Sequence, residues 1–148
     1  MDVRVQTERF DPGAELNAFL LASSGAGAAA TFTGVVRSKP DDPITALTLE
    51  CYPELAINQL KAIVTEATAR FGLLRATVVH RYGTLVPGEP IVQVMTLSPH
   101  RDAAFKGAEF LMDYLKTDAP FWKQETGPNG THWVDAKAED EASKARWE

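Results

Sequence analysis

The segment Ser98-Pro99-His100-Arg101-Asp102 sets two basic side chains where a helix is expected to begin. Serine is a favoured N-cap and proline suits the first helical position, which places His100 and Arg101 in the first turn. That end of a helix already carries roughly half a positive elementary charge and ordinarily attracts Asp or Glu. Histidine and arginine there make chemical sense when free N–H groups and both side chains converge on a phosphate or carboxylate. Asp102 offsets part of the charge and equally suits an ordinary helix start, so the local pattern leaves both readings open. Lys116, near the expected end of the same helix, is favoured there by the dipole alone. Lys123 lies in Pro120-Phe121-Trp122-Lys123-Gln124-Glu125, on an expected strand that puts Phe121 and Lys123 on one face and Trp122 on the other. A lysine among aromatics either guards a strand edge or sits in a partly apolar pocket, where desolvation lets it move protons near neutral pH. Arg37 ends the expected strand Thr31–Val36, in which Gly34 marks a bulge or a close backbone approach.

Other chemistry is poorly supported. Gly25-Ala26-Gly27-Ala28-Ala29-Ala30 fits a dinucleotide-binding spacing, but that motif works after a strand and before a helix, and here the order is reversed. A flexible entry into a strand is the better reading. His80, His100 and His132 are far apart and lack metal-ligand spacing, so no metal site is expected. His80, inside Val78-Val79-His80-Arg81-Tyr82, reads as structural. Cys51 is the single cysteine, which excludes an internal disulfide and reads as a small apolar residue at a strand end.

The elements that must position these groups follow from periodicity. Strands are expected at Val3–Gln6, Ala29–Arg37, Ile44–Cys51, Ala76–Tyr82 and Ile91–Leu97, with a hairpin of Phe121–Thr126 and His132–Lys137 across Gly127-Pro128-Asn129-Gly130. A short helix is expected over Ala14–Ala22. A long one runs from Pro53 to about Phe71, where Gly72 ends it; its stripe is Ala56, Leu60, Val64, Ala67 and Phe71. Ala104, Ala108, Leu111 and Leu115 mark the second long helix, which stops near Thr117, and Ala138–Glu148 reads as a short polar helix. Strands and helices mix without strict alternation, so the fold class is α+β, with mixed or antiparallel sheets packed on two main helices. The length of 148 residues suits a single domain over 1–148. A net charge of −5 argues against a nucleic-acid partner but allows a local basic pocket. No apolar run is long enough to span a membrane, and the first residues do not read as a secretory signal, so a cytoplasmic protein is expected.

Taken together, Thr31–Arg37 (TFTGVVR), Leu47–Pro53 (LTLECYP), Val79–Gly83 (VHRYG), Ser98–Arg101 (SPHR), Phe110–Lys123 (FLMDYLKTDAPFWK) and His132-Trp133-Val134 resemble the MoaE family, the large catalytic subunits of molybdopterin synthase. The resemblance implies an α+β fold with a hammerhead-type subdomain and a homodimer within a heterotetramer. Each end of that dimer binds a small ubiquitin-like sulfur carrier whose C-terminal Gly-Gly ends in a thiocarboxylate. It implies sulfur transfer to cyclic pyranopterin monophosphate, which builds the dithiolene of molybdopterin, with no metal or other cofactor needed by this subunit.

Carried over by position, the resemblance makes Lys116 and Lys123 catalytic, and Arg37, His100, Arg101, Lys123 and Lys137 substrate-binding. Phe32, Met112 and Glu125 become pocket positions for the carrier tail. Lys137 stands where relatives carry an arginine that reaches a neighbouring protomer. Lysine keeps the charge and loses the planar fork that grips phosphate in two places. Relatives also often carry a basic residue at the position of Val35 and a histidine at that of Cys51. Two rival readings are a persulfide-carrying enzyme built on Cys51 and a non-catalytic module for a ubiquitin-like tail.

Overall fold

The computed structural model describes residues 2–21, 23–118, 120–134 and 138–148. Lys137 therefore lies outside the described residues.

Helix α2 (Pro53–Phe71) has the bounds its sequence predicts. Proline occupies its first turn, and Gly72 closes it in the left-handed conformation at φ 65°, donating its N–H to the Thr68 carbonyl. Ala56, Leu60, Ile63, Val64 and Ala67 form its buried stripe. Helix α3 (Arg101–Thr117) buries Ala104, Gly107, Phe110, Leu111 and Leu115. It begins two residues later than the sequence suggests. Ser98 is the last residue of a strand and donates its hydroxyl to the His100 carbonyl, while its own carbonyl accepts from Gly27 N–H at 3.0 Å. With that backbone committed to the sheet, His100 becomes the N-cap and makes no side-chain capping bond.

Four strands form the first sheet: β1 (Asp2–Gln6), β2 (Ala28–Val35), β4 (Arg75–Arg81) and β6 (Pro90–Ser98), in the order β1-β4-β6-β2. Only β1 with β4 is parallel. Helices α2 and α3 cover one face, over Ala76, Val78, Val92 and Val94. The short helix α1 (Pro12–Leu20) covers the other, where Phe19 meets Met95 and Leu97. The second sheet is antiparallel, in the order β5-β3-β7-β8, from β3 (Ala46–Glu50), β5 (Gly83–Leu85), β7 (Trp122–Gly127) and β8 (Gly130–Val134). Strand β5 is too short to announce itself by alternation and exists by pairing with Leu47–Leu49.

The glycine-rich segment before β2 is a strand entry, as expected. A Cβ at Gly27 would overlap the Pro99 carbonyl oxygen, so the close approach of these two backbones requires glycine. The final helix, α4 (Ala138–Ala145), is held on α3 by Trp147, two residues beyond its end. Trp147 Nε1 donates to Asp113 Oδ2 at 2.6 Å, and its ring meets Phe71 and Phe110 at 5.7 Å.

Candidate functional site

A cavity of about 470 Å³ opens where the two sheets and the C-terminal end of α3 meet. Each element delivers its side chains by simple periodicity. Met112 and Lys116 are four apart on α3 and so share a face toward the cavity. Lys123 and Glu125 alternate on β7. Lys123 stands opposite Leu49 on one side and Val134 on the other; Glu125 stands opposite Leu47 and His132. Lys123 is half-buried between apolar neighbours, whereas Lys116 and Arg37 are exposed at the rim. Phe32 and Gly34 reach the wall from β2, which breaks register between Gly34 and Val35. A Cβ at Gly34 would lie 2.9 Å from Val92 Cγ1, so the tight β2–β6 contact beside the cavity requires glycine.

Six of the residues expected at the site therefore meet: Arg37, Lys116, Lys123, Phe32, Met112 and Glu125. His100 and Arg101 do not join them. Both are exposed at the opposite end of α3, and the fifteen residues from Arg101 to Lys116 span about 22 Å of helix axis. Within one chain they cannot share an anion with Lys116. Lys39, His80 and Asp140 line the cavity without having been expected there. His80 carried a signal in the sequence. It follows Ala76 and Val78 at period two on a buried face, where a polar ring at the end of an apolar row points to a site edge. Asp140 gave none, because its approach depends on how α4 docks.

The chemistry available is cationic and partly dry. Arg37, Lys39, Lys116 and Lys123 surround an opening whose floor includes Leu47, Leu49, Leu115 and Phe121. Such an arrangement lowers the repulsion between two approaching anions and stabilises negative charge as it develops. Among the described residues, no three His, Cys, Asp or Glu side chains gather to hold a metal ion. None of the helices described is long and apolar enough to cross a membrane.

His80 is held neutral. Burial pushes its pKa down to about 4 from 6.5; a hydrogen bond to the Arg81 carbonyl opposes this, and the nearby charge of Lys123 adds to it. Between those two pH values the unfolded chain binds a proton that the folded protein refuses. Stability therefore falls as pH drops from about 6.5 to about 4, by about 3 kcal/mol in all. Urea midpoints taken near pH 7 and near pH 4.5 measure it, and His80→Gln is expected to remove that share of the slope.

Cys51 does not line the cavity, and burial pushes its thiol pKa up, away from the thiolate a sulfur relay needs. Cys51→Ser is expected to retain turnover within about twofold of the parent. A folded variant without activity would restore the persulfide reading.

Comparison with known proteins agrees with this architecture. Residues 5–118 match the MoaE protein family. The chain is 48% identical over 147 residues to the molybdopterin synthase catalytic subunit of Rhizobium meliloti (strain 1021), covering 98% of this chain and 94% of that protein. Its fold matches the molybdopterin biosynthesis MoaE protein from Burkholderia ambifaria MC40-6 with a TM-score of 0.84 at 45% identity, over 99% of this chain and 97% of the other. For the crystal structure of molybdopterin synthase from Staphylococcus aureus, the TM-score is 0.81 at 27% identity, over 89% and 96%. These likenesses, over nearly the whole chain, place the molecule among the α+β proteins of molybdopterin biosynthesis. The chain belongs to the MoaE family.

Proposed function

We propose that this chain is the catalytic subunit of a molybdopterin synthase, a sulfurtransferase acting with a small ubiquitin-like carrier. The carrier's C-terminal thiocarboxylate enters the cavity, and its sulfur forms a C–S bond to a side-chain carbon of cyclic pyranopterin monophosphate as the C–O bond at that carbon breaks and the departing oxygen takes up a proton. Water then takes the acyl carbon, releasing the carrier as a carboxylate and leaving sulfur on the product. Repeating the transfer completes the dithiolene.

The observation that carries this reading is the meeting of Lys116, Lys123 and Arg37 in one partly apolar cavity. Both reactants are anionic, and fixed cations make their approach feasible. Lys116, exposed at the end of α3, stands by the carrier's terminal glycine and the reacting carbon. Lys123, flanked by Leu49 and Val134, serves as acid–base group or stabilises the departing phosphate oxygen. Phe32, Met112 and Glu125 line the path of the tail, and Arg37 meets the phosphate or the pterin.

His100 and Arg101 serve the phosphate of a neighbouring protomer's site, because the length of α3 separates them from their own chain's lysines. Lys137 acts across the same homodimer contact, in a cytoplasmic heterotetramer of two large and two small subunits. The relatives' description as a catalytic subunit supports a partner subunit, since it speaks of an enzyme with more than one chain. The test is to mix the purified chain with thiocarboxylated carrier and cyclic pyranopterin monophosphate and assay molybdopterin. Carrier binding without product would leave only the tail-binding module.

A further inference from the structure

His80 takes no part in the function proposed above, yet its ring is on the cavity wall, 7% exposed. It lies flat against Phe121, with centroids 3.8 Å apart and planes within 10°. Its Nδ1 is 2.7 Å from the Arg81 carbonyl oxygen. A carbonyl only accepts, so Nδ1 carries the proton and Nε2 keeps its lone pair. Phe121 and Lys123 both line the cavity and are two residues apart, which puts them on one side of the chain about 7 Å from each other. An imidazole stacked on Phe121 is thus within reach of a lysine's four-carbon stem.

We propose that His80 is the positioning residue of Lys123: its Nε2 lone pair accepts a hydrogen bond from the Lys123 ammonium and fixes where that ammonium stands over the cavity. The electrostatics agree, since the charge on Lys123 is among the influences that disfavour a protonated His80. The other charged groups facing the cavity are Arg37 and Lys39 from the β2–β3 connection, Lys116 from α3, Glu125 from β7 and Asp140 from α4. Burial is the largest influence against a charged imidazole, and Lys123 is the charge that adds to it. A neutral acceptor stabilises the ammonium form of lysine, so its removal makes Lys123 lose its proton at lower pH.

The kinetic consequence rests on the proposed function, whereas the contact itself does not. His80→Asn keeps an amide to donate to the Arg81 carbonyl and loses the acceptor at the Nε2 position. His80→Gln restores an oxygen near that position. In the reconstituted assay, His80→Asn is expected to lower kcat about 10- to 100-fold, the loss of one charge-assisted hydrogen bond, with KM nearly unchanged. The alkaline limb of its pH profile moves to lower pH, and His80→Gln recovers most of the rate. Independently of activity, NMR titration of isotope-labelled Lys123 shows a lower midpoint in His80→Asn. Lys123→Met provides the reciprocal measurement: the His80 ring then titrates at higher pH, which serves if the His80 variants do not fold. Unmoved titrations of both groups overturn the proposal, as does a loss of kcat that follows melting temperature alone. If the parent protein makes no molybdopterin, the functional reading fails, and the two titrations still decide the contact.

Discussion

Lys116→Ala abolishes product formation while the carrier stays bound. The expected loss in kcat is at least about 10²- to 10³-fold, the range for removing a positioned acid–base or charge-stabilising group. Folding is little affected. Lys116 is exposed in the last turn of α3, where its interaction with the helix dipole contributes about 0.3–1 kcal/mol. Carrier binding depends on a wider surface than one rim lysine, so the complex still forms at matched concentrations in analytical ultracentrifugation. Turnover at the parent rate in a purified two-subunit assay would remove Lys116 from the chemistry. Loss of carrier binding alone would make it a docking residue.

The parts of this molecule that local rules govern are legible from its residues. Helix α2 shows this, with Pro53 opening it and Gly72 closing it at positive φ, because capping chemistry is written in adjacent residues. The start of α3 shows the limit. Ser98 and Pro99 have the composition of a cap, but pairing of Ser98 with Ala28 holds that backbone in the sheet. The apolar stripe expected on α3 omits Phe110, because whether a residue at the edge of a stripe is buried depends on what packs there, and here Trp147 comes from the far end of the chain. At the site, neither Lys116 nor Lys123 can be assigned from its surroundings in sequence, since each has a sound structural role by itself. Their convergence is implied by family resemblance, and the cavity shows it. His80 reads as structural in the sequence, and its buried face agrees with that. The local pattern marks only a polar ring ending a buried apolar row; the partner that sets the ring beside the site is Phe121, forty-one residues later.

The largest effect on stability is expected from Phe110→Ala. Phe110 is fully buried and lies among aromatic rings from three parts of the chain. Phe71 at the end of α2 meets it at 5.5 Å, Tyr114 one turn along α3 at 4.7 Å, and Trp147 beyond α4 at 5.7 Å, while the Arg70 guanidinium lies 5.4 Å from its ring centroid. Truncation removes the ring's burial and leaves a void that the backbones of α2 and α3 cannot close, which together cost about 3–5 kcal/mol. For a chain of this size that lowers Tm by roughly 10 °C or more. Urea unfolding is expected to show a lower midpoint at an unchanged m-value, because the surface exposed on unfolding stays nearly the same. The lost contacts also include part of the seat of Trp147, which holds α4 and with it Asp140 at the cavity wall. The Asp113 carboxylate still accepts from Trp147 Nε1 and from Arg146, so α4 remains attached and the void is the main cost. A change below about 1 kcal/mol would mean that Tyr114 or Trp147 swings into the vacated space, and that the aromatic cluster, rather than Phe110 itself, joins the two long helices to the end of the chain.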